Sequence, residues 1–151
     1  MSEIDTKRRN YEFARARRLA VVSTVSASGA PEAALVGYAV TPDMELIFET
    51  TDATRKHGNL KRDSRIALVI GWEDQQTLQY EGIADEPGGA ELEAIKNVYF
   101  AAWPENRGHE NWPGLSYFRV IPRWVRFSSY FSPRSIEEVS LGLAPDETSV
   151  S

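Results

Sequence analysis

Along most of the chain, apolar residues occur in short alternating or continuous runs, a pattern typical of β-strands. Clusters of turn-forming residues separate these runs, such as Ser-Ala-Ser-Gly at 26–29 and Thr-Pro-Asp-Met at 41–44. Short turns join the first three runs, which favours an antiparallel meander. The pattern predicts strands at residues 19–25, 32–40, 45–50, 65–72, 77–84, 115–121 and 123–131.

Three segments are predicted to be helical. Asp5 can cap a first helix over residues 5–18, and residues 52–63 are a second candidate that Gly58 weakens. The third, over residues 90–103, has apolar side chains at helical spacing, namely Leu92, Ile95, Val98, Tyr99 and Ala102. Prolines and glycines predict a loop at 104–114, and the residues from 132 onward form a polar, acidic tail.

These elements indicate one domain, because 151 residues suit a single hydrophobic core. Six or seven short strands with two or three peripheral helices predict a mainly β fold, an antiparallel barrel rather than an α/β sheet. The predicted organisation is an N-terminal helix at 1–18, the barrel at 19–131 and the polar tail at 132–151.

Composition excludes several classes of protein. With no cysteine there are no disulfides, thiolate nucleophiles or cysteine metal sites, which fits a reducing, cytoplasmic location. No apolar run approaches the roughly 18–20 residues needed to cross a bilayer, and the polar first ten residues do not resemble a secretion signal. We therefore expect no membrane partner.

The net charge of −5 is unevenly distributed. Residues 7–18 contain six basic side chains and residues 55–65 contain five, so the acidic excess lies elsewhere. A mostly acidic surface would repel nucleic acid, so we expect no nucleic-acid partner. The two basic segments indicate either a site for a small anion or a solvated helix face, and for residues 7–18 the solvated face is favoured.

The segment with the clearest chemistry is residues 48–60, where a strand, a short loop and a helix start follow one another. Free N–H groups at a helix N-terminus attract anions. Thr54 adds a hydroxyl, Arg55 a planar guanidinium and Lys56 an ammonium group, which together can hold a monophosphate. The alternative is that Thr54 or Asp52 only caps the helix while the two cations lie in water.

From about residue 14 to 130, the order and spacing of several motifs resemble the flavin-binding split-barrel superfamily of pyridoxamine 5′-phosphate oxidase. The matching elements are Gly-Ala-Pro at 29–31, Phe-Glu-Thr at 48–50, Thr-Arg-Lys at 54–56, Tyr-Glu-Gly at 80–82 and the final hairpin at 117–127. The resemblance implies a split β-barrel that binds flavin mononucleotide (FMN), in a homodimer with the flavin at the subunit interface.

The resemblance also implies the residues of the flavin site. The phosphate would lie on Thr54, Arg55 and Lys56, and Thr50 would contact the cofactor beside Glu49, which replaces a usual aromatic residue. The second strand would line the ring system, and Thr77 is a further polar contact. The second-strand residues are Ala34, Leu35, Val36 and Gly37.

Departures from the family pattern leave the substrate open. An arginine of the oxidase is replaced here by Ala34, its lysine near Ala39 is missing, and a tryptophan near the flavin falls at Ser128. The leading hypothesis is therefore an FMN-dependent oxidoreductase for an unknown small substrate, similar to short stress-protein-type members. The alternatives are a non-catalytic flavin-binding module, or a protein that binds deazaflavin or haem.

Two histidines, His57 and His109, are too few to favour a protein metal site, but either is a candidate haem ligand. Neither has a neighbour in sequence that would complete a Ser-His-Asp arrangement. Trp112, in the proline-containing loop, is the tryptophan best placed to cover a ligand.

Overall fold

The computed structural model describes residues 2–131 and 133–141, whose strands form one antiparallel sheet curled into a half-barrel. The sheet order is β2-β1-β5-β6-β7-β4-β3, and β8 pairs with β7. The predicted mainly β, antiparallel barrel-type fold is confirmed. The strands are β1 (Leu19–Val25), β2 (Pro31–Gly37), β3 (Ala39–Val40), β4 (Leu46–Thr51), β5 (Arg65–Ile70), β6 (Gln76–Asp85), β7 (Leu115–Ser129) and β8 (Ser135–Ser140).

Within the described residues, three α-helices lie at the edges of this sheet, α1 (Glu3–Arg15), α2 (Arg55–Arg62) and α3 (Gly89–Ala102). The first helix begins earlier than predicted because the Ser2 hydroxyl, rather than Asp5, caps it by accepting a hydrogen bond from the Asp5 N–H. The predicted loop after α3 contains a 3₁₀ helix, Pro104–Asn111, with proline near its start.

The predicted second strand is divided at Tyr38. Strand β2 pairs with β1 as far as Gly37, opposite Leu19, where β1 begins. Beyond that point β1 offers no partner, so the chain crosses to β4 and pairs with it through Ala39 and Val40. Tyr38 anchors the crossing, because its buried hydroxyl donates to the Ala14 carbonyl over 2.5 Å.

The last two predicted strands form one long strand, β7, although Pro122 lies inside it. Glu81 of β6 pairs with Trp124 and Gly82 pairs with Pro122, so Arg123 is an extra residue in β7. A bulge of this kind accommodates proline, which cannot donate to a regular ladder. Gly82 lies there because a Cβ would be 2.4 Å from the Ile121 carbonyl oxygen.

Part of the predicted polar tail forms strand β8, which pairs with the end of β7. Its sequence has few apolar residues because it is the outermost strand and one face is solvated. Ion pairs connect β8 to its neighbours: Glu137 pairs with Arg9 at 3.3 Å and Glu138 pairs with Arg126 at 2.7 Å. The end of the predicted tail lies outside the described residues.

Strand β4 separates two hydrophobic clusters. Phe48 belongs to the barrel core, which is formed by the inward-facing side chains of the sheet together with α1. Ile47 faces the opposite side, where Tyr99 and Phe100 of α3 cover the sheet. Because side chains alternate along a strand, Glu49 and Thr50 also point to opposite sides of β4.

Candidate functional site

The N-terminus of α2 follows β4 directly, and two threonines connect the two elements. The Thr50 and Thr54 hydroxyl oxygens are 2.7 Å apart, and Thr54 donates to the Thr51 carbonyl over 3.0 Å. Thr54 is the N-cap residue, but its side chain makes no capping hydrogen bond to the helix. No side chain of the described residues caps the first-turn N–H groups of α2, so they are open to an external acceptor.

Arg55 and Lys56 open the same helix, and their surroundings differ. Arg55 is exposed and donates to Oε2 of Glu32 over 3.0 Å. Lys56 is half-buried and has no hydrogen bond or ion pair to any residue within 2–131 and 133–141. Burial lowers the pKa of the Lys56 ammonium group. A partly buried cation in such a setting is electrostatically suited to an anion.

Glu32 is a residue of this site that the sequence does not indicate. Its Oε2 accepts from Arg55 and its Oε1 accepts from the Asn59 amide over 2.9 Å. The same amide donates to the Thr24 hydroxyl over 3.0 Å. Asn59 is buried, so this network fixes the position of α2 against β1 and β2.

Strand β2, predicted to line a flavin ring, is at one end of the sheet order. Val36 is buried in the barrel core and Ala34 packs against that core, whereas Leu35 is 58% exposed. Gly37 lies against the Trp103 ring, where a Cβ would come within 2.5 Å of Cζ2. Among the described strands, none pairs with the outer edge of β2, so its backbone groups are available to a ligand.

Thr77 is not brought close to the α2 N-terminus within one chain. It pairs with Ser128 near the start of β6, and its hydroxyl lies 3.5 Å from the Ile70 carbonyl oxygen. The strand after α2 begins at Arg65, opposite Ile83. Ile83 lies six positions after Thr77 along β6, or about 20 Å away at about 3.3 Å per residue. Thr77 and Lys56 thus lie at opposite ends of the sheet.

Glu49 is also separated from the threonine pair, on the α3 side of β4. Its side chain is 10% exposed, and Nδ1 of His109 donates to its Oε1 over 2.5 Å. The His109 ring stacks on Trp112, with the ring centres 3.7 Å apart. This Glu49–His109 pair is a carboxylate-oriented imidazole, an arrangement found at catalytic and metal-ligating histidines.

Two tyrosines surround the Glu49 carboxylate. Burial, followed by the charge of Glu49, raises the pKa of Tyr117 to about 12. Burial also raises the pKa of Tyr99, whose hydroxyl accepts a hydrogen bond from Asn106 over 3.0 Å. Oε2 of Glu49 and the Tyr117 hydroxyl are both buried without a hydrogen bond of good geometry to the described residues. The Glu49 carboxylate therefore lies among His109, Tyr99 and Tyr117 beneath the 3₁₀ helix.

The two histidines differ in what they offer to a ligand. His57 is on α2, and its Nε2 lies 3.1 Å from the Ser116 hydroxyl. In His109 the bonded atom is Nδ1, and no described residue bonds its Nε2. The sequence contains no signal for the Glu49–His109 contact, because the two residues are 60 positions apart.

The family model of pyridoxamine 5′-phosphate oxidase matches residues 7–129. The match covers most of the chain, so the protein belongs to the pyridoxamine 5′-phosphate oxidase family. Among curated protein sequences, none matches the chain.

Several solved structures have the same fold. The haem-binding protein of Mycobacterium smegmatis superposes with a TM-score of 0.77 at 17% identity, covering 93% of this chain, which spans 59% of the length of that protein. A Clostridium acetobutylicum protein related to general stress protein 26 gives 0.72 at 12% identity, covering 93% and 97% of the two chains. General stress protein 26 of Bacillus anthracis gives 0.67 at 16% identity, covering 93% and 100%.

These identities are low, so the similarity shows the fold alone. In the part of the chain that the structure describes, no helix is long and apolar enough to cross a membrane.

Proposed function

We propose that the protein binds FMN and acts as a flavin-dependent oxidoreductase on a small substrate. The observation that carries the proposal is the half-buried Lys56 at the start of α2, which pairs with none of the described residues. A phosphate there would receive a charge-assisted contact from Lys56 and hydrogen bonds from the first-turn N–H groups. Family membership supports FMN as the phosphate-bearing group, because the sequence resembles the flavin-binding members at this helix.

The surrounding residues fit such a cofactor. The Thr54 hydroxyl lies at the phosphate end, and Arg55 is exposed enough to turn from Glu32 to a more strongly charged phosphate. Among the described strands, none pairs with the outer edge of β2, which leaves its backbone groups open to a flat ring. When bound, the flavin would supply the hydride or electron transfer, and the protein would position it and exclude competing reactions.

A homodimer is part of this proposal. Leu35, Val21 and Val69 lie directly opposite one another on neighbouring strands, with 58%, 36% and 39% of each residue exposed. Such a row on the outer face of a sheet is suited to a second copy of the chain. A two-fold arrangement would let the Thr77 end of one chain approach the Lys56 end of the other.

An absorption spectrum tests the cofactor. Protein is purified, incubated with FMN and desalted, and the flavin bands are measured against protein concentration. Near-stoichiometric retention supports the proposal. Absence of retained flavin contradicts it, and the same spectrum reveals a deazaflavin or haem carried from the host.

Turnover tests the catalytic part of the proposal. Reduction of the bound flavin by a nicotinamide nucleotide, followed by reoxidation with an added acceptor, supports an oxidoreductase. Stoichiometric flavin that neither donor nor acceptor changes favours a non-catalytic flavin-binding module instead.

A second candidate function is haem binding, which the geometry of His109 favours. Glu49 orients the imidazole through Nδ1, and no described residue bonds Nε2, whereas the Nε2 of His57 contacts Ser116. The structural neighbour from Mycobacterium smegmatis is a haem-binding protein. Haem titration followed by the Soret band tests this: His109→Ala should abolish the band shift while His57→Ala retains it.

A further inference from the structure

The C-terminal end of α1 borders a cleft that the flavin proposal does not use. The cleft lies between α1 and α3 and has a volume of about 620 Å³. At Arg17 and Arg18 it adjoins a smaller cleft of about 390 Å³ that Trp72 lines. Pockets of a few hundred cubic ångströms accommodate ligands of nucleotide size.

Two arginines of this cleft, Arg15 and Arg17, form no ion pair with the described residues, unlike Lys7 and Arg9 nearer the start of α1. Lys7 pairs with Asp43, and Arg9 pairs with Glu137. In the cleft, by contrast, Arg17 donates to the Phe13 carbonyl over 2.9 Å. Two other arginines line the cleft: Arg18, which pairs with Glu105, and Arg15, which is exposed and bonds no described residue.

The placement of Arg17 is rigid. Its guanidinium stacks on the Phe13 ring, 3.6 Å from the ring centre, and its Nη1 is held by the helix carbonyl. The remaining N–H groups of Arg17 are left for a ligand. Among its described residues the larger cleft has no carboxylate in its lining, so the charges of Arg15 and Arg17 are not paired within it.

Trp72 supplies a different kind of surface beside Arg17. It is 56% exposed and stacks on no other ring in residues 2–131 and 133–141. Indole is the side chain best suited to stacking on a flat heterocycle. The acidic side chain in the described lining of this smaller cleft is Glu73, which disfavours an anion there. An anionic group of a ligand would therefore bind in the larger cleft.

From this arrangement we propose that the joined clefts bind a nucleotide, with its phosphates on Arg15 and Arg17 and its base against Trp72. The guanidinium fork matches phosphate oxygens, and the indole matches the flat base. Nucleotide binding would give the basic segment 7–18 a role, and it does not depend on flavin binding.

Isothermal titration calorimetry with ADP tests the proposal. FMN is present in excess so that the α2 site is occupied. Wild-type protein should bind ADP saturably. Arg15→Ala should weaken ADP and pyrophosphate by about tenfold, because each loses a charge-assisted contact. Trp72→Ala should weaken ADP several-fold and leave pyrophosphate unchanged.

Arg8→Ala is the matched control, because Arg8 is an exposed arginine of α1 outside both clefts. It should change ADP affinity less than twofold. Arg15 is exposed and bonds no described residue, so its removal does not endanger folding. The proposal is overturned if ADP does not bind, if FMN competes with it, or if Arg8→Ala and Arg15→Ala weaken it equally.

Discussion

Nδ1 of His109 lies 2.5 Å from Oε1 of Glu49, and this contact joins two residues that are 60 positions apart in the sequence. Glu49 is on β4 and His109 is in the 3₁₀ helix, so the contact fastens that helix to the outer face of the sheet. The Glu49 side chain is only 10% exposed, so loss of its hydrogen-bond donor would leave a buried carboxylate oxygen unpaired. The contact therefore matters both to stability and to what His109 can bind.

Removing His109 should destabilise the protein. In His109→Ala the buried Glu49 carboxylate loses a hydrogen-bond donor, which we expect to lower the free energy of unfolding by about 1–3 kcal/mol. Urea unfolding followed by circular dichroism measures it. The double variant Glu49→Gln with His109→Ala should recover part of the loss, because a neutral amide is easier to bury. Equal losses in the two variants would show that the carboxylate is not the reason.

The proposed phosphate-binding role of α2 predicts a difference between the affinities for two ligands. Arg55→Ala with Lys56→Ala should weaken FMN by at least about tenfold and leave riboflavin, which lacks phosphate, nearly unchanged. Fluorescence titration measures both affinities. Lys61→Ala is the control, because Lys61 is at the far end of α2 and pairs with Glu86. Equal weakening of the two ligands would show that the cluster does not hold the phosphate.

Replacing either of two glycines by alanine should change the free energy of unfolding, but in opposite directions. Gly37→Ala places a Cβ 2.5 Å from the Trp103 ring, which is held by a hydrogen bond from its Nε1 to the Tyr38 carbonyl. We expect a loss of about 1–3 kcal/mol in the free energy of unfolding and a change in tryptophan fluorescence.

Gly58→Ala is the matched case, since Gly58 is inside α2 and an alanine methyl there would meet no described atom within 4 Å outside the helix backbone. It should stabilise the protein by about 0.5–1 kcal/mol, because alanine is the better helix former. Urea unfolding of both variants checks the pair. Destabilisation by Gly58→Ala, or no effect of Gly37→Ala, would contradict the packing described.

Tyr117 should contribute to stability at alkaline pH in a defined window. Its pKa is raised from 10 to about 12 in the folded protein, first by burial and then by Glu49. The folded state therefore favours the neutral phenol, and this contribution is complete below pH 10 and is lost as the pH rises toward 12.

Unfolding free energies measured across this pH range should fall less steeply for Tyr117→Phe than for the wild type. Tyr130→Phe is the control, because Tyr130 is half-exposed. An unchanged slope in Tyr117→Phe would show that the Tyr117 phenol titrates alike in the folded and unfolded states.

The exposed row on β2, β1 and β5 predicts where a dimer forms. Val21 is at its centre, between Leu35 and Val69, so Val21→Lys should place two like charges in the interface and yield a monomer. Sedimentation velocity measures the outcome. Ile136→Lys, at an exposed position of β8, should leave the association unchanged. A wild-type monomer, or a Val21→Lys dimer, would reject this interface.

Local sequence patterns were sufficient for most of the strands and for the region of α2. The alternating run at 19–25 and the apolar run at 65–72 became β1 and β5 because burial and strand propensity agree there. Local patterns were insufficient where pairing with another strand determines the structure. The split at Tyr38 follows from where β1 begins, and the bulge at Pro122 follows from the register with β6.

The antiparallel barrel class follows from the sequence alone, because several short strand patterns joined by turns predict it. The proximity of Thr54, Arg55 and Lys56 also follows, because neighbouring residues on one strand–helix connection are necessarily close in space. The long-range relationships required the folded structure. Thr77 lies at the end of the sheet opposite Lys56, and Glu49 contacts His109 on the side of β4 opposite to Thr50. The reason is physical. Strand register and helix packing set which distant residues meet, and no local pattern encodes them.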